Sequence, residues 1–100
     1  MSVSDGDIAF AVDLFSDLGG LTSRKMFGGM CLYHDGTVFA LMSSDGRLYL
    51  KTKTPAELFG QTTDQFHNMP YYAVPEDMLD DPQAACVLAR TALTTLTISG

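Results

Sequence analysis

Residues 30–51 decide the fold: Met30-Cys31-Leu32-Tyr33-His34-Asp35-Gly36-Thr37-Val38-Phe39-Ala40-Leu41-Met42-Ser43-Ser44-Asp45-Gly46-Arg47-Leu48-Tyr49-Leu50-Lys51. Three apolar runs, 30–34, 37–42 and 47–51, are separated by Asp35-Gly36 and Ser44-Asp45-Gly46. Asp-Gly between apolar runs is a strong hairpin signal, because Gly supplies the positive φ that a tight turn requires. The stretch therefore predicts a three-stranded antiparallel meander. The last strand alternates: Leu48 and Leu50 face one way, and Arg47, Tyr49 and Lys51 the other, with Lys53 next in line. The middle strand is apolar on both faces, Val38, Ala40 and Met42 against Phe39 and Leu41. Part of its second face is therefore expected to be covered.

Toward the N-terminus, residues 5–18 read as an amphipathic helix. Ile8, Ala11, Val12, Phe15 and Leu18 recur at helical spacing, Leu14 widens that stripe, and Asp13, Ser16 and Asp17 lie opposite. Ser4 and Asp7 form a capping-box pattern, and Gly19-Gly20 supplies a stop. Toward the C-terminus, Thr54-Pro55 opens a short helix over 56–59 that Gly60 ends. A strand is expected at about 70–74, at an edge because Pro70 donates no hydrogen bond. Pro75–Leu79 reads as a helical turn. Asp81-Pro82 then starts a final helix to about 96, with frayed residues after it. Its buried stripe is Ala85, Leu88, Ala89, Ala92, Leu93 and Leu96. The result is an α+β fold of two layers, helices on an antiparallel sheet, in the order α-β-β-β-α-β(-β)-α.

The 100 residues suffice for one domain with its core at about 5–96. With 46% apolar and 18% charged residues, the chain can bury enough surface to offset its ordering entropy. No apolar run is long enough to span a bilayer, and Met1–Asp5 lacks a signal-peptide pattern. Cys31 and Cys86 are the only cysteines and both sit among apolar residues, so they read as buried thiols of a cytoplasmic protein. The net charge of −6 opposes general nucleic-acid binding. Charge is uneven, however: residues 24–53 hold Arg24, Lys25, Arg47, Lys51 and Lys53 against Asp35 and Asp45, a local +3.

Chemistry is sparse. Cys31-x-x-His34 has metal-like spacing, but residues three apart on a strand point to opposite faces, and further ligands are missing. Glu76, Asp77, Asp80 and Asp81 suit helix N-termini without any substrate. Phe27-Gly28-Gly29-Met30 leads into a strand, the reverse of a phosphate loop. No catalytic residue, cofactor or metal ligand is read.

Arg24-Lys25-Met26-Phe27-Gly28-Gly29-Met30-Cys31-Leu32-Tyr33, followed by Asp35-Gly36, Phe39-Ala40-Leu41 and Asp45–Lys51, resembles the N-terminal domain of the TfoX/Sxy family of bacterial competence regulators. Tyr72 with Pro75, Asp81-Pro82 and the Ala-rich final helix extend the resemblance over about 10–96. It implies a secretion-chaperone-like domain of helix, three strands, helix, two strands and helix. It marks Arg24, Met26, Phe27, Gly28, Gly29 and Tyr33 as family-motif residues, without catalytic roles. It also implies a non-enzymatic interaction domain, a regulatory adaptor for competence-type genes. The implied partners are the cyclic-AMP receptor protein or other transcription machinery. Arg47, Tyr49 and Lys51 are the expected protein-binding face, since Arg and Tyr suit interface hot spots. An apolar strand or open sheet edge would also suit a homodimer. The alternative is a small-ligand or anion-binding module built on Arg24, Lys25 and the Gly28-Gly29 amides.

Overall fold

Among the described residues five strands form one antiparallel sheet in sequence order: β1 (Leu21–Met26), β2 (Gly29–His34), β3 (Thr37–Met42), β4 (Leu48–Lys51) and β5 (Tyr71–Ala73). The computed structural model describes residues 3–26, 28–61 and 63–99, the last five of these by backbone only. Among the described residues four α-helices complete it: α1 (Asp5–Leu14), α2 (Pro55–Phe59), α3 (Glu76–Leu79) and α4 (Pro82–Ser99). The two-layer α+β architecture matches the sequence reading. None of the described helices is long and apolar enough to cross a membrane.

Local chemistry explains the helix ends. Ser4 Oγ accepts from Asp7 N at 3.1 Å while Asp7 Oδ2 accepts from Ser4 N at 3.2 Å, a reciprocal cap for α1. The expected helix to residue 18 is divided: α1 ends at Leu14, and Ser16–Leu18 tighten into a 3-10 turn. Asp81 Oδ1 caps α4 through Ala84 N at 3.2 Å. That helix continues to Ser99, past the expected limit near 96, since neither Gly nor Pro interrupts it before then. Ala85, Ala89 and Ala92 are buried with Cys86, and Leu88 and Leu93 pack at the margin of the core. The side chain of Leu96 lies outside the described residues.

The fifth strand stands elsewhere than the sequence suggested. It is β1, before the meander, and not a second strand beside residues 70–74. Leu21-Thr22-Ser23-Arg24-Lys25-Met26 has no apolar alternation because it is an edge strand, exposed from Thr22 onward. Its Arg24 and Lys25 are the charges by which sheet edges resist pairing with stray strands.

The core lies between the sheet and the helices. Met30, Leu32, Ala40, Met42, Leu48 and Leu50 project from the sheet to meet Ala11, Leu14 and Phe15 near α1, and Ala85 and Ala89 from α4. A bulge corrects the simple alternation read for β3. Leu32 pairs with Ala40 and Tyr33 with Val38, leaving Phe39 as the extra residue. Phe39 thereby joins Ala40 on the helix side, where its ring meets Phe15 edge-on with centroids 5.3 Å apart. Val38 goes to the other face.

Candidate interaction face

The sheet face away from the main core carries a second, smaller apolar cluster. Register aligns Arg24, Cys31, Leu41, Tyr49 and Ala73 across all five strands, with Lys51 beside Tyr71 in the next row. Leu41, Tyr49, Tyr71 and Ala73 are buried there, with Cys31 and Phe66 packed against them. The cover expected over the middle strand is the 63–70 segment. Ala73 N donates to Asp64 O and Phe66 N to Tyr71 O, both at 2.8 Å, which ties this segment to β5. Phe66 then meets Tyr49 edge-on at 5.1 Å, and the His67 ring meets Phe66 edge-on at 4.4 Å.

Coverage is partial. A groove of about 530 Å³ remains, lined among others by Met26, Cys31, Tyr33, Phe66, Met69 and Tyr71. Two of the large apolar side chains left exposed, Met26 at 37% and Met69 at 44%, lie along it. Burial pushes the Cys31 thiol and the Tyr71 phenol above their ordinary pKa values.

Of the three residues expected to form a binding face, Tyr49 is 7% exposed and lies beneath Phe66. Arg47 stays accessible. Its guanidinium sits 2.9 Å from the Asp64 carboxylate and 5.7 Å from the Tyr49 ring centroid. Lys51 is half-buried at the other end of β4. The face thus presents two cations around an aromatic floor. The turn before Arg47 is shaped by Asp45, which accepts from the Ser43 hydroxyl and from Arg47 N. Those bonds, the hydroxyl's first, hold its carboxyl below the usual range.

The family-motif residues surround the β1–β2 turn. Arg24 is exposed, and its side chain makes no hydrogen bond or ion pair among the described residues. Tyr33 is half-buried in the groove wall. Phe27 lies outside the described residues. Gly28 has φ +80°, which favours glycine, and its carbonyl accepts from Val3 N at 2.7 Å. Gly29 is required for a different reason: a Cβ there would run into the Met42 carbonyl.

Arg24 and Lys25 do not converge on an anion. Alternation sends Arg24 to the Cys31 side and Lys25 to the α1 side, where it pairs with Asp5 at 3.3 Å. Cys31 and His34 are likewise separated: His34 Nδ1 lies 2.8 Å from Gly19 O, near a more polar hollow of about 560 Å³ that includes Arg90. The Arg90 guanidinium donates to Asp17 O at 3.0 Å. No three of His, Cys, Asp and Glu gather into a metal-holding group among the described residues.

Sequence reasoning missed Asp64, Phe66, His67 and Met69 as parts of this face. The one available signal was Phe66, a large apolar residue in an otherwise loop-like stretch. The family model described as the TfoX N-terminal domain matches residues 13–96. No curated protein matches the chain.

Proposed function

The chain belongs to the TfoX N-terminal domain family, and on that premise we propose that it is a non-enzymatic protein-interaction domain acting as a regulatory adaptor. The observation that carries this reading is the sheet face opposite the main core. It offers an aromatic and thioether surface between the exposed Arg47 and Arg24 and the half-buried Lys51. Interface centres combine such aromatic and Met content with Arg, while the charged rim steers encounter. A partner with an acidic rim around an apolar projection is complementary to it. The cyclic-AMP receptor protein and RNA polymerase are the partners we propose.

The test is a pull-down from bacterial lysate with the tagged chain and an Arg47→Glu/Lys51→Glu control. Enrichment of either partner by the unaltered chain, lost in the control, supports the adaptor reading. Equal recovery by both proteins places the contact elsewhere, and recovery of neither partner removes the stable-adaptor reading. A second reading, binding of a small apolar ligand, is favoured by the groove's 530 Å³ volume, which falls in the range of ligand pockets. Thermal stabilisation by aromatic or acyl compounds that is lost on filling the groove with Val38→Phe would favour it over the adaptor.

A further inference from the structure

The groove also collects sulfur and nitrogen donors whose chemistry goes beyond the apolar contact that the interaction reading asks of them. Met26 Sδ stands 3.6 Å from Cys31 Sγ. Met69 and His67 line the same groove from the 63–70 segment. The His67 ring nitrogens make no hydrogen bond or ion pair among the described residues, and its backbone is held at φ +53°, uncommon for a non-glycine residue. One thiol, two thioethers and one imidazole therefore share a half-open concavity. The bland account of the sulfurs is apolar packing, yet Met26 and Met69 are exposed there instead of buried.

Donor chemistry selects the ion. Thiolate and thioether ligands favour Cu(I), and imidazole tolerates it, whereas hard cations require oxygen donors that this set lacks. Two sulfurs bonded at about 2.3 Å to one tetrahedral metal stand roughly 3.8 Å apart. The Met26–Cys31 pair is within a few tenths of an ångström of that spacing. We propose that the groove is a Cu(I) site, with Cys31 Sγ and Met26 Sδ as its fixed pair and Met69 Sδ and His67 closing it from the covering segment. Binding is a ligand exchange without redox change: the Cys31 S–H bond breaks, the Cu–S bond forms, and one proton leaves to solvent for each ion bound.

The experiment titrates the whole chain with Cu(I) under anaerobic conditions, in competition with a chromogenic Cu(I) chelator. It compares the unaltered protein with Cys31→Ser, Met26→Leu, Met69→Leu and Cys86→Ser, each checked for folding by circular dichroism. The expected result is one ion per chain, bound with release of one proton. Affinity should fall at least about tenfold in Met26→Leu and Met69→Leu. Binding should be lost in Cys31→Ser and unchanged in Cys86→Ser, whose thiol is buried in the main core. Absence of competitive binding would overturn the proposal. So would binding that survives Cys31→Ser, or that is indifferent to both methionine substitutions. Zn(II) binding with equal affinity would overturn the assignment of a soft-ion site.

Discussion

The Arg47 guanidinium and the Asp64 carboxylate, far apart in sequence, meet at 2.9 Å on the rim of the second sheet face. The pair links the β3–β4 turn to the 63–70 segment, which is hydrogen-bonded to β5 and covers Tyr49. Both side chains remain largely exposed, at 48% and 74%, so water screens their attraction. We expect Arg47→Ala to lower stability by less than about 1 kcal/mol. Urea denaturation checks this. A larger loss would mean that the pair holds the covering segment in place.

Two glycines should respond differently to substitution, because they are glycine for different reasons. Gly36 has φ +86° with open space around it, so Gly36→Ala should cost about 1–2 kcal/mol and Gly36→Asn less, since Asn tolerates that conformation. Gly29 faces the Met42 carbonyl, so any Cβ collides with backbone. Gly29→Ala should cost about 1–3 kcal/mol, and Gly29→Asn should bring no relief. Thermal melts of the four variants separate the two mechanisms.

Phe39 is fully buried against Phe15 because the bulge turns it to the helix side. Phe39→Ala should cost about 3–5 kcal/mol. That is a large share of the roughly 5–15 kcal/mol available to a domain. A loss under about 1 kcal/mol would contradict the bulged register.

The Asp45 carboxyl gives a pH signature. Its folded pKa lies below its unfolded one, first through the Ser43 hydroxyl and then through Arg47 N. Its contribution is therefore fully present above the unfolded value and is lost as pH falls through the folded one. Asp45→Asn should be less stable than the unaltered chain at neutral pH, and the gap should narrow below about pH 4. A gap constant with pH would show that the carboxylate charge is not what these bonds stabilise. Melting temperatures between pH 2 and pH 7 provide the comparison.

The parts of the fold visible in the sequence are those governed by local rules. The Asp35-Gly36 and Asp45-Gly46 turns, the Ser4/Asp7 cap and the Asp81-Pro82 helix start each depend on residues a few positions apart. β1 was hidden because an exposed edge strand needs no apolar alternation. The bulge at Phe39 was hidden because an apolar run on both faces has no phase from which to read an extra residue. The candidate face was half visible. Alternation placed Arg47, Tyr49 and Lys51 together, but that Phe66 covers Tyr49 and Asp64 reaches Arg47 depends on tertiary pairing of 63–70 with β5. The groove donors were invisible for the same reason, since Met26 and Met69 meet one concavity from opposite ends of the sheet.

Whether the face around Arg47 and Lys51 binds a protein partner is decided by calorimetric titration of purified cyclic-AMP receptor protein. The cell would hold either the unaltered chain or Arg47→Glu/Lys51→Glu. Saturable binding is expected from the unaltered chain, weakened at least about tenfold in the double variant while its melting temperature stays nearly unchanged. Equal affinity for both proteins, or heat of binding from neither, would contradict it.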